Sequence, residues 1–144
     1  MRSLFILILL FFSCCIDNKE KNYSESYFIT LSKEIEKNPY NTDLLLERVN
    51  YNKKRNYLES ALFDLKQCLL IDSLNAVYHF NIADIYFEMS KKPNANSKYP
   101  DFARSHLQQA LKIDNQDYKS FGLLGELFLA FGNYKEAISN FISS

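Results

Sequence analysis

The sequence predicts an all-α fold, a solenoid of antiparallel helix pairs, and three observations carry that prediction. Gly and Pro number only three each in 144 residues, too few breakers for the many tight turns of a β-sandwich or barrel. Apolar residues recur three and four positions apart over long stretches, the spacing of one helix face. The small residues Val49 and Ala83 stand 34 positions apart, as do Ala103 and Ala137, which marks an internal repeat the size of one helix pair.

The N-terminus reads as an address rather than as fold. Met1-Arg2-Ser3 supplies one positive charge, Leu4 to Phe12 is unbroken apolar sequence, and Ser13-Cys14-Cys15 leads into the polar run Asp17 to Asn22. That is signal-peptide anatomy. The nine-residue apolar run is short of the roughly 20 residues a membrane-spanning helix needs. A small residue directly before a Cys resembles the lipobox of bacterial lipoproteins. The resemblance implies cleavage after residue 13, lipidation at Cys14 (with Cys15 as the alternative), a flexible tether over 14–23, and a place in the cell envelope, on the outer membrane of a Gram-negative bacterium. Phe11 and Phe12 depart from the usual lipobox residues, which leaves an ordinary signal peptide or an uncleaved anchor as the other readings.

The folded region then begins with a helix over 24–38, where Phe28, Leu31 and Ile35 share a face and Pro39 closes it. The first repeat, 42–75, carries Leu45-x2-Arg48-Val49-x2-Asn52 and Ala61-x3-Leu65, and ends Ile71-Asp72. The second, 76–117, carries His79-x2-Ile82-Ala83-x2-Tyr86 and Ala103-x3-Leu107, and ends Ile113-Asp114. Its two small residues are 20 apart instead of the 12 found in the other copies. The polar segment 91–98, Lys-Lys-Pro-Asn-Ala-Asn-Ser-Lys, accounts for the difference as an inserted loop. The third copy, 118–144, reads Phe121-x2-Leu124-Gly125-x2-Phe128, Gly132-Asn133-Tyr134 and Ala137-x3-Phe141.

Those spacings resemble the tetratricopeptide repeat, whose two helices follow an aromatic-x2-L-G-x2-Y and A-x3-F pattern. The resemblance implies a right-handed superhelical solenoid of about three repeats plus the N-terminal helix. In such arrays a small residue lets two helices approach while large apolar residues fill the layer, and only stacked repeats bury enough surface to be stable.

Composition narrows the function classes. Seventeen basic residues balance seventeen acidic ones, so no overall field draws nucleic acid. The sequence contains no phosphate-binding Gly loop, zinc-spaced Cys pair, H-E-x-x-H or G-x-S-x-G. No catalytic residue, cofactor or metal is therefore assigned, and the chain is not read as an enzyme. His79 falls at an aromatic packing position and His106 at the edge of a packed face. Cys68 stands where the next copy has Ala and reads as a small buried thiol; pairing with Cys15 would require the tail to fold back.

The repeat resemblance implies a concave face built from the first helix of each pair, which binds a protein or peptide. Carried onto this chain it comprises Leu46, Asn50, Phe80, Asp84, Phe87, Glu88, Glu126 and Leu129, an apolar surface with acidic points. It suits an extended or helical peptide with apolar anchors and a basic residue, although Phe80 and Phe87 read equally well as packing residues. Asn50, Asn81 and Lys119 match three positions of the carboxylate clamp found in some members; Leu46 and Leu123 occupy the other two, where it needs cations. The chain stops at Ser144 inside the last helix, where Phe141 and Ile142 lack a cover. That predicts self-association through the C-terminal helix, a docked partner, or a longer natural product. A truncated fragment and a ligand-binding surface lipoprotein are the alternative readings of the whole.

Overall fold

A computed structural model describes residues 25–131 and residue 142. The signal peptide, Cys14, Cys15, the tether and the last predicted helix, apart from Ile142, lie outside the described residues. Those described form six helices, and the fold is all-α, packed as antiparallel helix pairs. In chain order they are α1 (25–37), α2 (Thr42–Lys54), α3 (Leu58–Ile71), α4 (Ala76–Ser90), α5 (Tyr99–Ile113) and α6 (Tyr118–Ala130). No helix among the described residues is long and apolar enough to cross a membrane. The chain divides into two compact units, one up to Leu44 and one from Leu45 onward.

In the first unit α1 buries Leu31 and Ile35, four apart and hence on one face. Its exposed side carries the Lys37–Glu34 pair, 2.9 Å apart. Asn41 caps α2, its side-chain oxygen accepting from the backbone N–H groups of Asp43 and Leu44. Two of the orphan donors at the helix start are satisfied in this way.

The second unit is a stack of helices joined by short turns that repeat their chemistry. After α3, Asp72 accepts from the backbone of Leu74, and Asn75 caps α4 at Val77. After α5, Asp114 accepts from Gln116, and Asp117 caps α6 at Lys119 while also accepting from the Ser120 hydroxyl at 2.6 Å. The Ile-Asp pairs at 71–72 and 113–114 are thus Asx-turn starts, in which a short carboxylate replaces the helix ladder as hydrogen-bond partner. Between α2 and α3 the turn passes through Asn56, whose φ is 61°. That is the left-handed region in which Gly or Asn is favoured, and the third copy has Gly132 at the same register.

The core of this unit is continuous. Val49, Ala61, Leu65, Ile82, Ala83, Ile85, Ala103 and Leu107 are fully or almost fully buried in one cluster that reaches Leu123, Leu124 and Leu127 on α6. The repeat's small positions, Val49, Ala83 and Gly125 on the first helices and Ala61 and Ala103 on the second, are all buried, so backbones approach closely there and the larger side chains close the layers. Each buried Leu or Ile contributes about 1.5–3 kcal/mol of transfer free energy, collected only when successive pairs stack. Between α4 and α5 the chain takes residues 91–98, with Asn94 at φ 57°. Pro100 lies in the first turn of α5, where its missing N–H costs nothing.

Candidate partner-binding face

The first helices of the three repeats are α2, α4 and α6, linked in that order by an ion pair and by helix packing. Lys53 Nζ of α2 meets Asp84 Oδ2 of α4 at 2.6 Å, and α4 packs on α6. Of the residues expected on their shared face, Asn50, Glu88, Glu126 and Leu129 are exposed, with Leu129 49% accessible. Leu46 and Phe80 are half-buried and pack against the core cluster.

Two assignments change. Phe87 is only 4% exposed and belongs to the core, and the Lys91 ammonium lies 4.0 Å from its ring centroid. It is a packing residue and presents no anchor surface, because α4 is buried on more than one side and its apolar stripe is correspondingly broad. Asp84 is not a free acidic point, since its carboxylate is held by Lys53. Glu88 shares its charge with Lys91 at 2.7 Å, leaving Glu126 as the acid on this face with no ion pair among the described residues. The carboxylate clamp does not assemble either: the Asn81 amide donates to the Val77 carbonyl of its own helix at 2.8 Å, and Leu123 is buried.

Inside the helix pairs are two polar contacts whose pairing the spacings did not reveal. Asp64 on α3 is 1% exposed and accepts a bidentate pair from Arg48 on α2, at 2.9 Å from Nε and 2.7 Å from the terminal nitrogen. His79 on α4 and His106 on α5 meet through their Nδ1 atoms at 3.0 Å. The Tyr86 ring stacks on His106 with centroids 6.1 Å apart, and Phe102 lies against Tyr86. Asp64 and His106 hold the same register of successive second helices. The legible signal was a polar residue at a core register in two copies; its partners, a turn apart on the first helices, were not legible.

Burial first, then His79 and then Lys66 hold the His106 imidazole down to about 4, against an ordinary 6.5, so it is neutral at pH 7. Burial, followed by the Asp64 carboxylate, pushes the Cys68 thiol up to about 11. That thiol is free and buried, a small packing group and not a nucleophile. Among the described residues no group of three or more His, Cys, Asp or Glu side chains could hold a metal ion. A cavity of about 640 Å³ opens beside the α4–α5 connection, with Asn94, Ser97, Pro100, Arg104, Phe128 and Phe131 among its walls.

No protein-family model matches this sequence, and no curated protein matches it significantly. Solved structures do share the fold. A crystal structure of MamA, a tetratricopeptide-repeat protein, superposes with a TM-score of 0.71 at 17% identity, covering 87% of this chain and 68% of that one. A second crystal structure of the MamA protein gives the same score and identity over 87% and 64%. The form described as MamA MSR-1 C2 gives 0.67 at 14% over 86% and 67%. This chain therefore has the tetratricopeptide-type fold and spans about two thirds of the length of those chains. At these identities the likeness is one of fold alone.

Proposed function

We propose that this protein is a protein–protein interaction scaffold of the bacterial cell envelope, anchored by lipid at Cys14 or Cys15, which binds a peptide segment on the face of α2, α4 and α6. The observation that carries the reading is that α4 packs on α6 and is joined to α2 by the Lys53–Asp84 pair, while Asn50, Glu126 and Leu129 stay exposed on these helices. A stack of repeats can present such a surface without distorting its core. Leu129 and the half-buried Phe80 offer apolar contact, Glu126 an exposed carboxylate with no ion pair among the described residues, and Asn50 adaptable hydrogen bonding. A segment with one aliphatic or aromatic anchor and one Lys or Arg fits that chemistry.

The test places a photocrosslinking amino acid at position 50 or 129 in the native envelope and, as a control, at Phe63, which is exposed on α3. Crosslinks to a defined protein from 50 and 129, weakened by Glu126→Lys and absent from 63, support the reading. Equal crosslinking from all three positions removes the face from the account. Incorporation of a palmitate analogue, lost in Cys14→Ala or in Cys15→Ala, tests the anchor separately; incorporation unchanged in both variants and in their combination overturns it.

A further inference from the structure

The inserted connection does more than lengthen the second repeat, because it walls a cavity. Between α2 and α3 the chain takes only residues 55–57, whereas between α4 and α5 it takes 91–98. Residues of that connection, together with α5 and α6, line the space of about 640 Å³. Packing voids in a folded core are seldom much larger than a water molecule, while small-molecule sites span about 300–1,000 Å³.

The walls divide by chemistry. Phe128 and Phe131 of α6 supply an apolar side, and Phe131 is 55% accessible. Lys92 and Ser97 of the connection and Arg104 of α5 supply hydrogen-bond donors. Lys92 has no ion pair among the described residues. Arg104 gives one terminal nitrogen to Asp101 at 2.6 Å, with both side chains exposed. Such a pair contributes little by itself and leaves the rest of the guanidinium fork to a ligand. Two cations against one carboxylate give these walls a single net positive charge.

We propose that this cavity binds a small amphipathic carboxylate, its aliphatic or aromatic body against Phe128 and Phe131 and its charge on Lys92 and Arg104. One net positive charge matches a monoanion, and the planar guanidinium fork suits a carboxylate. A dianion such as a phosphomonoester would lack a second unpaired cation, and a neutral apolar molecule would gain nothing from Lys92. The connection is ordered without a ligand, since the Ala95 N–H donates to the Lys92 carbonyl at 3.2 Å, the Lys98 N–H donates to the Asn96 side chain at 3.0 Å, and the Tyr99 ring lies 5.8 Å from that of Tyr86. Little ordering therefore opposes binding. The site is separate from the α2, α4 and α6 face, and either can fail alone.

The experiment titrates phenylbutyrate into the 15N-labelled full chain, with phenylbutanamide as its neutral counterpart. Saturable shifts are expected at amides 92–98, around 104 and at 127–131, with phenylbutanamide needing roughly tenfold higher concentration or more. Lys92→Gln and Arg104→Gln are each expected to weaken phenylbutyrate by a similar factor and to leave phenylbutanamide unchanged. Phe131→Ser is expected to weaken both compounds. Circular dichroism establishes that the variants are folded. No saturable shift at millimolar phenylbutyrate, equal binding of the two compounds, shifts centred outside the cavity, or a phenylbutyrate titration unchanged in any folded variant overturns the site. Shifts at the same amides that follow protein concentration without ligand give the cavity to a second copy of the chain and overturn it as well.

Discussion

Asp64 is the most exacting residue in the described core, because a carboxylate 1% exposed is tolerable only while Arg48 supplies both of its hydrogen bonds. The corresponding first-helix positions of the other copies are Ile82 and Leu124, so an apolar pair would fit the register. Arg48→Leu alone is expected to destabilise by about 3–5 kcal/mol, since it strands the charge, whereas Arg48→Leu with Asp64→Leu should recover most of that loss. Urea unfolding of the two singles and the double measures the coupling; equal loss in the double would mean that the pair is not the cause. His106 makes a prediction with a pH axis. Its folded value of about 4 lies below the ordinary 6.5, so between those limits the unfolded chain takes up a proton that the folded chain refuses. Stability should be unaffected by this group above pH 6.5, fall as the pH drops towards 4, and level off below. The group is partly solvated, so its share is roughly 1 kcal/mol. Wild type should lose that much more than His106→Gln between pH 7 and 4 in denaturant titrations, and parallel curves would refute the assignment.

Each helix is bounded by residues whose roles are local. Asp72, Asn75, Asp114 and Asp117 place their oxygens on backbone N–H groups two positions ahead, and Asn56 turns the chain between α2 and α3 at φ 61°. Asn56→Gly should change stability by only a few tenths of a kcal/mol, while Asn56→Val should cost about 1–2 kcal/mol, because a β-branched residue is strained in the left-handed region. Thermal melts of the two variants check this; equal melting temperatures would show that the turn relaxes. The element boundaries are legible in the sequence for the same reason, since capping and turn residues act through their immediate neighbours. The α4–α5 connection was legible too, because an insertion of polar residues disturbs the count between the small positions without disturbing the helices.

At the scale of the second unit, each helix packs on its neighbours and one core runs from Val49 to Leu127. Stability in such a stack is a sum of local terms and nearest-neighbour interfaces. Leu124→Ala, which removes a side chain only 6% exposed, is therefore expected to cost about 2–5 kcal/mol. Amide exchange should quicken most in α5 and α6 and least in α2 and α3. Uniform acceleration across the unit would indicate a single all-or-none transition instead. The proposed partner face belongs to this scale as well, because no helix would form it alone.

The chain's spacings by themselves determined that it is all-helical and which small residues of α2 to α6 are buried between helices, since periodicity and turn chemistry are local properties read from neighbouring residues. Tertiary structure alone decided the fate of the face and of the polar core. Phe87 and Phe80 carry the same side chain seven residues apart on one helix, yet one is buried and the other half-buried, because the neighbours that cover each come from distant parts of the chain. Asp84 looked like a free acid until α2 brought Lys53 to it, and His79 and His106 looked like separate packing residues until α4 and α5 closed. Burial and pairing depend on partners that sequence spacing does not name.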